Sequence, residues 1–260
     1  MQTEDYEYLY ELEESFWWFA GMRAITRVLL DPVCPMNQDR VILDAGCGTG
    51  GNLAWLQRYA RNGQVYGIDV SKDALGFCRQ RGYQRLACAS VTALPFNDDH
   101  FDLVTSFDVL VQLPGVGADE LAVQEVYRVL RPGGIALVRV AAYEWLRSGH
   151  DKALATQRRY ALGTLSTLLK QVGFIILRAT YANGLLLPLA AFHRLVLKPV
   201  GLVHRGSDVK PLAPSLGWLN ATLRNVLKAE AQLLRSRQFD LPAGVSAICI
   251  VKKPTSAPGA

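Results

Sequence analysis

Val41-Ile-Leu-Asp-Ala-Gly-Cys-Gly-Thr-Gly-Gly51 reads as a buried strand that runs into a glycine-rich turn and then opens a helix. Glycine adopts backbone conformations closed to other residues and lets a ligand approach the main chain, so this junction is a candidate binding turn. Outward from it, short β-rich runs alternate with helical periodicity. Strands are predicted at Val41–Asp44, Gln64–Ile68, Arg85–Cys88, Phe101–Ser106, Ile135–Val140, Phe174–Tyr181 and, late in the chain, Val245–Val251. Helices are predicted at Asn52–Arg61, Ser71–Arg81, Asp119–Leu130 and Thr164–Val172, with Ser71 as an N-cap and Pro132 and Gly173 as stops. The alternation specifies an α/β fold with a doubly wound, mostly parallel sheet.

The chain has 260 residues, 50% hydrophobic and 20% charged, which suits one large domain or a domain with an appendage and excludes disorder. No period repeats, so a solenoid is excluded. Its five cysteines are scattered without a CxxC pair, which predicts neither a disulfide framework nor a metal site. The acidic start MQTEDYEYLYELEE lacks the order of a secretory leader, and the reading is a cytoplasmic protein. The longest apolar run, Ala179–Phe192, contains Asn183 and Pro188 and is shorter than the roughly 20 residues of a spanning helix. Charge is uneven: Met1–Val138 holds 11 Lys and Arg against 18 Asp and Glu, whereas Arg139–Ala260 holds 17 against 5. A basic half suits an anionic substrate, lipid or nucleic acid, or is a solvated face.

Gly46, Gly48 and Gly51 also satisfy GxGxxG, and Asp69 ends the next strand near the spacing of a ribose-binding acid. The turn alone therefore leaves a nicotinamide-type oxidoreductase open. The wider context is more specific. Asp44, the turn Gly46–Gly50, the strand end Tyr66-Gly-Ile-Asp-Val-Ser71, Ala93-Leu-Pro-Phe96 before Phe101-Asp-Leu-Val104, and Arg128-Val-Leu-Arg-Pro-Gly-Gly134 together resemble the class I S-adenosylmethionine-dependent methyltransferases. The resemblance runs from about Val41 to Val140. It implies a seven-stranded sheet with an antiparallel last strand, S-adenosylmethionine as cofactor and S-adenosylhomocysteine as product. On that basis Gly46, Cys47, Gly48 and Gly50 cradle the methionine end, Asp44 lies near its amino group, and Asp69 with Val70 takes the ribose hydroxyls. Ser90 or Val91 stands where many relatives hold the adenine amino group with Asp, and Phe107 follows the fourth strand. Val111-Gln112 occupies the place of a Glu-His or His-His pair.

The resemblance also implies an N-terminal lid (1–37) that closes over the cofactor; in the aromatic cluster Phe16-Trp-Trp-Phe19, Trp17 or Trp18 is expected to line it and Arg23 to reach the cofactor's carboxylate, the alternative being aromatics packed as plain core. The core is assigned to 38–181 and 245–253, a helical insertion to 182–244 and a disordered tail to 254–260. The insertion carries helical patterns at Leu185–Leu197 and Ser215–Arg237, and its apolar stripe admits an acceptor pocket, a membrane-surface contact or a homodimer interface. His150 is the candidate base or substrate contact, beside Tyr143, and Arg158, Arg159 and Tyr160 are candidate substrate contacts. The expected function is methyl transfer by in-line displacement to a small or lipophilic acceptor, with oxygen favoured. A non-catalytic cofactor-binding scaffold is the alternative from another class, and no basic run interleaved with stacking aromatics supports a nucleic-acid substrate.

Overall fold

The computed structural model describes residues 3–197 and 216–255. Strands β1 (Val41–Ala45), β2 (Gln64–Asp69), β3 (Leu86–Cys88), β4 (Phe101–Phe107), β5 (Leu130–Ala141), β6 (Ile175–Ala182) and β7 (Ser246–Lys252) form one sheet in the order β3-β2-β1-β4-β5-β7-β6. Pairing is parallel from β3 across to β5, and β7 runs antiparallel between β5 and β6. Strand order reverses between β1 and β4, and in open α/β sheets the crevice beyond the strand ends at such a point is where ligands sit. The antiparallel β7 separates this sheet from the 3-2-1-4-5-6 dinucleotide fold that the GxGxxG pattern left open.

Six strands match their predicted windows to within one residue at each end. The exception, β5, begins at Leu130 rather than Ile135, directly after helix α5 (Ala118–Val129). Leu130 pairs with Phe101 and the register then shifts before Leu103, an irregularity that accommodates Pro132, which has no N–H to give, and Gly133 at φ +83°. The crossover helices are α3 (Leu53–Ala60), α4 (Lys72–Gln80) and α7 (Leu162–Val172). Ser71 caps α4 as predicted, its Oγ accepting from the Ala74 N–H at 3.2 Å. A short α6 (Gly149–Ala153) carries His150, whose side chain lies outside the described residues.

The N-terminal segment forms α1 (Thr3–Ser15) and α2 (Trp17–Leu30). In the insertion, the first helical pattern resolves into α8 (Leu187–Phe192) and a π-helical turn at His193–Leu197, and the second becomes α9 (Gly217–Leu234). The predicted tail is described only as far as Thr255. Among the described residues no helix is long and apolar enough to cross a membrane.

The buried end of the α9 stripe faces α2. A Cβ on Gly21 would lie 2.4 Å from Leu227 Cδ1 and 2.5 Å from its Cβ, so the two helices meet closely because one of them has no side chain there. Asn220 of α9 accepts from the Trp17 N–H at 2.8 Å and donates to the Ser15 carbonyl at 3.0 Å, satisfying an orphan donor at the start of α2. Gly21→Ala should therefore destabilise the fold by about 1–3 kcal/mol through overpacking, despite the better helix propensity of alanine. A urea melt checks it, and an unchanged midpoint would show that α9 can shift freely.

Candidate active site

The glycine turn is pinned by hydrogen bonds from the chain's own backbone. The Gly46 and Cys47 N–H groups both donate to the Ile68 carbonyl at 2.9 and 2.8 Å, tying the exit of β1 to the end of β2. Gly46, Gly48 and Gly50 have φ of +90°, +53° and +88°, and a Cβ on Gly46 would lie 2.2 Å from a Val109 methyl. Space and backbone conformation both demand glycine there. The Gly48 N–H donates to Asp69 Oδ2 at 3.0 Å and the Ser71 N–H to Asp69 Oδ1 at 2.9 Å. Each carboxylate oxygen can accept more than one hydrogen bond, so Asp69 keeps acceptor capacity beyond its backbone donors. Partial burial raises its pKa, and the backbone N–H groups pull against that rise.

Asp44 is fully buried. Thr105 donates to its Oδ1 at 2.8 Å, whereas Oδ2 is buried with no partner among the described residues. Desolvation pushes its pKa up to about 7 against the Thr105 hydrogen bond. A buried carboxylate oxygen without a donor is costly unless something supplies one. A cationic amine would supply both charge and donor.

Register places a set of side chains on the same sheet face. Asp44 is opposite Thr105, and Phe107 is opposite Arg139; two-residue alternation brings Thr105 and Phe107 to one side. Arg139 Nε and Nη2 donate to Asp108 Oδ2 at 2.9 and 2.7 Å. Its guanidinium carbon lies 4.8 Å from the ring centroids of both Trp18, on α2, and Phe107. Helix α2 is thus held against this face by an arginine between two aromatic rings.

Helix α1 clamps the other side of the turn. Thr49 Oγ1 donates to Glu13 Oε2 at 2.5 Å, and a Cβ on Gly51 would meet that carboxylate at 2.5 Å. Arg81, just past α4, donates to the Thr49 carbonyl at 3.0 Å, the Tyr10 carbonyl at 2.7 Å and Glu14 Oε1 at 2.7 Å. A cleft of about 510 Å³ opens beside Gly50 and Gly51, lined also by Arg23, Trp55 and Arg81. Burial lowers the pKa of Arg23, and Glu13 and Glu14 oppose that.

The structure thus gathers Asp44, Gly46, Cys47, Gly48, Gly50 and Asp69 around the turn, and Trp18 and Arg23 on the helix that covers it. Val70 is exposed, one residue beyond β2, and Ser90 and buried Val91 lie in the loop after β3, where Ser90 Oγ accepts from the Thr92 N–H at 3.2 Å. The acceptor candidates stand differently. Arg159 is buried and spends its donors on Asp151 at 2.7 Å and the Ala142 carbonyl at 2.8 Å. Arg158 pairs with Asp119 at 2.9 Å, and the Tyr160 hydroxyl donates to the same Asp119 at 2.7 Å. Tyr143 stacks between Trp145 and Tyr181, with burial and a Tyr181 hydrogen bond lifting its pKa to about 12. Sequence reasoning missed Glu13, Thr49, Thr105, Asp108 and Arg139. Only Asp108 and Arg139 left a signal, as charged residues at the ends of otherwise apolar strands.

Residues 43–138 match the family described as "Methyltransferase domain". The core of this chain is similar in sequence to that family and has the fold of the class I S-adenosylmethionine-dependent methyltransferases. It is 33% identical over 121 residues to a fatty-acid O-methyltransferase of Mycolicibacterium smegmatis, covering 44% of this chain and 43% of that protein. It is 29% identical over 125 residues to a ubiquinone/menaquinone biosynthesis C-methyltransferase of Neisseria meningitidis, covering 46% and 50%. The matched stretches thus span half or less of these relatives. Among solved structures, an S-adenosylmethionine-dependent methyltransferase from Archaeoglobus fulgidus shares the fold, with a TM-score of 0.58 and 16% identity over 95% of this chain and 100% of that one. The residues fit the cofactor: the orphaned Asp44 oxygen suits its amino group, and the spare acceptor capacity of Asp69 suits two ribose hydroxyls.

Proposed function

We propose that this chain transfers a methyl group from S-adenosylmethionine to an oxygen of a small or lipophilic acceptor. The observation that carries the reading is Asp44 Oδ2, a buried carboxylate oxygen without a partner among the described residues, at the foot of a turn whose Gly46 has no room for a side chain. When bound, S-adenosylmethionine supplies an already activated methyl group on a sulfonium. The chain's own residues then align and dehydrate rather than activate. Asp44 and the turn hold one end of the cofactor, Asp69 the ribose, and Arg23 its carboxylate. Trp18 and Phe107 exclude water from the face where the acceptor arrives. The fatty-acid O-methyltransferase among the relatives supports oxygen and a lipophilic acceptor.

The test is transfer of tritium from methyl-labelled S-adenosylmethionine into cell extract, partitioned between organic, aqueous, protein and nucleic-acid fractions. Label in the organic or small-molecule aqueous phase is expected. Label confined to protein or nucleic acid would overturn the acceptor class. Cofactor binding without any label would favour the scaffold.

Asp44 adds a pH signature. Its pKa lies above the ordinary 3.8 in the folded chain, so between there and about 7 the folded state holds a proton that the unfolded chain has lost. Stability of the cofactor-free protein should consequently fall as pH rises through that window, and Asp44→Asn should flatten the trend. A cationic amine selects the ionised carboxylate, so affinity for S-adenosylhomocysteine should rise about tenfold from about pH 5.5 to about pH 7, with proton release on binding. Calorimetry in two buffers of different ionisation enthalpy measures both, and a flat profile would remove Asp44 from the amine site.

A further inference from the structure

We propose that Arg139 anchors the acceptor and that the acceptor is a carboxylic acid with an apolar body; the inference rests on the oxygen-methylation reading above. The guanidinium is buried and lies between the rings of Trp18 and Phe107. Nε and Nη2 are both spent on one oxygen, Asp108 Oδ2. Nη1 has no hydrogen-bond partner among the described residues. Nη1 is not among the fully buried atoms, so it stays open to a ligand, and the aromatic walls beside it offer faces but no acceptor atoms. The ligand chemistry that fills a guanidinium edge best is a carboxylate.

The surroundings select the rest of the molecule. Trp18, Phe107 and Trp55, whose ring lies 6.3 Å from that of Phe107, make an aromatic wall suited to hydrocarbon. The charged groups around this face include Asp44, Asp69, Asp108, Glu13, Arg23, Arg81 and Arg139. A carboxylate asks for no base: it is ionised at neutral pH, and an adjacent arginine keeps it so. In the transfer, a bond forms between a carboxylate oxygen and the methyl carbon. The carbon–sulfur bond breaks with its electron pair going to sulfur, and no proton moves. An ester and S-adenosylhomocysteine result.

The partition between two arginines is part of the proposal. Arg23 lines the cleft beside Gly50 and Gly51, on the cofactor's side of the lid, whereas Arg139 rises from β5 beside the end of β4. Both carboxylates can thus be held at once, one by each arginine.

The experiment is calorimetry on protein saturated with S-adenosylhomocysteine, titrated with sodium octanoate and with octan-1-ol. Octanoate should bind about tenfold or more tightly than octanol, as a charge-assisted pair against a neutral group implies. Arg139→Met should abolish that advantage while octanol and S-adenosylhomocysteine still bind. Asp108→Ala frees two guanidinium donors and should hold or strengthen octanoate binding; weaker octanoate binding in that variant would make the ion pair merely structural and overturn the anchor. Equal binding of the two probes, no octanoate binding, or octanoate binding that survives Arg139→Met would overturn the anchor. Loss of S-adenosylhomocysteine affinity in Arg139→Met would assign the arginine to the cofactor and overturn it as well. If octanoate binds as expected but no methyl octanoate forms on addition of S-adenosylmethionine, the anchor stands and oxygen methylation is what fails.

Discussion

Asp69→Ala is expected to weaken S-adenosylhomocysteine binding by roughly 100-fold, the loss that follows from removing hydrogen bonds to a charged acceptor. Two effects add. The ribose hydroxyls lose the carboxylate that takes both of them, and the Gly48 N–H loses the partner that holds the turn at 3.0 Å. Asp69→Asn separates the two. An amide keeps one acceptor oxygen but presents an NH2 to whichever group faced the other, so a smaller but clear loss is expected. Calorimetry with S-adenosylhomocysteine decides it, with a urea melt of the free protein to register the turn's share. Unchanged affinity in Asp69→Ala would sink the ribose assignment, and a loss of stability matching the loss of affinity would reduce Asp69 to a support for the turn.

How far the sequence could be read depended on whether the signal was local. The glycine turn, Asp44, Asp69 and the Ser71 cap declare themselves because a strand, a turn and a helix start follow one another within a few dozen residues, and each residue type has a steric or hydrogen-bonding reason to be there. Arg139 and Asp108 do not, since their meeting depends on which strands are neighbours and on the register between β4 and β5. Arg158 and Arg159 looked available for an anion because an arginine pair in a polar stretch usually meets solvent. Asp119 and Asp151, brought in by folding, occupy them instead. The apolar stripe of α9 specified burial without naming what it would be buried against. Leu227, Ala231 and Leu234 are buried, and Leu227 meets the lid helix at Gly21, so that part of the stripe is internal to the chain. This couples the insertion to the helix that carries Trp18 and Arg23.

Glu230→Ala tests that coupling, and it should cost about 3–5 kcal/mol, the range for stripping a buried charged group from its partners. Glu230 is fully buried on α9, and its carboxylate accepts from three consecutive N–H groups, Asn183 at 2.6 Å, Gly184 at 2.8 Å and Leu185 at 2.9 Å. These donors belong to the turn that leaves β6, where Asn183 sits at φ +58° and a Cβ on Gly184 would lie 2.6 Å from the Ala243 carbonyl. The turn cannot refold around a vacancy without giving up that conformation, so the three N–H groups would be left without acceptors. Glu230→Gln should be nearly as damaging, because its NH2 would confront donors where the second oxygen had accepted. Beyond the fall in urea midpoint, amide exchange should quicken at 183–185 and along α2, because α9 holds both. Fast exchange at the turn with α2 unchanged would mean that the lid is held without α9. A midpoint within about 1 kcal/mol of the parent, inside the range of ordinary surface substitutions, would mean that water takes over the carboxylate's three bonds.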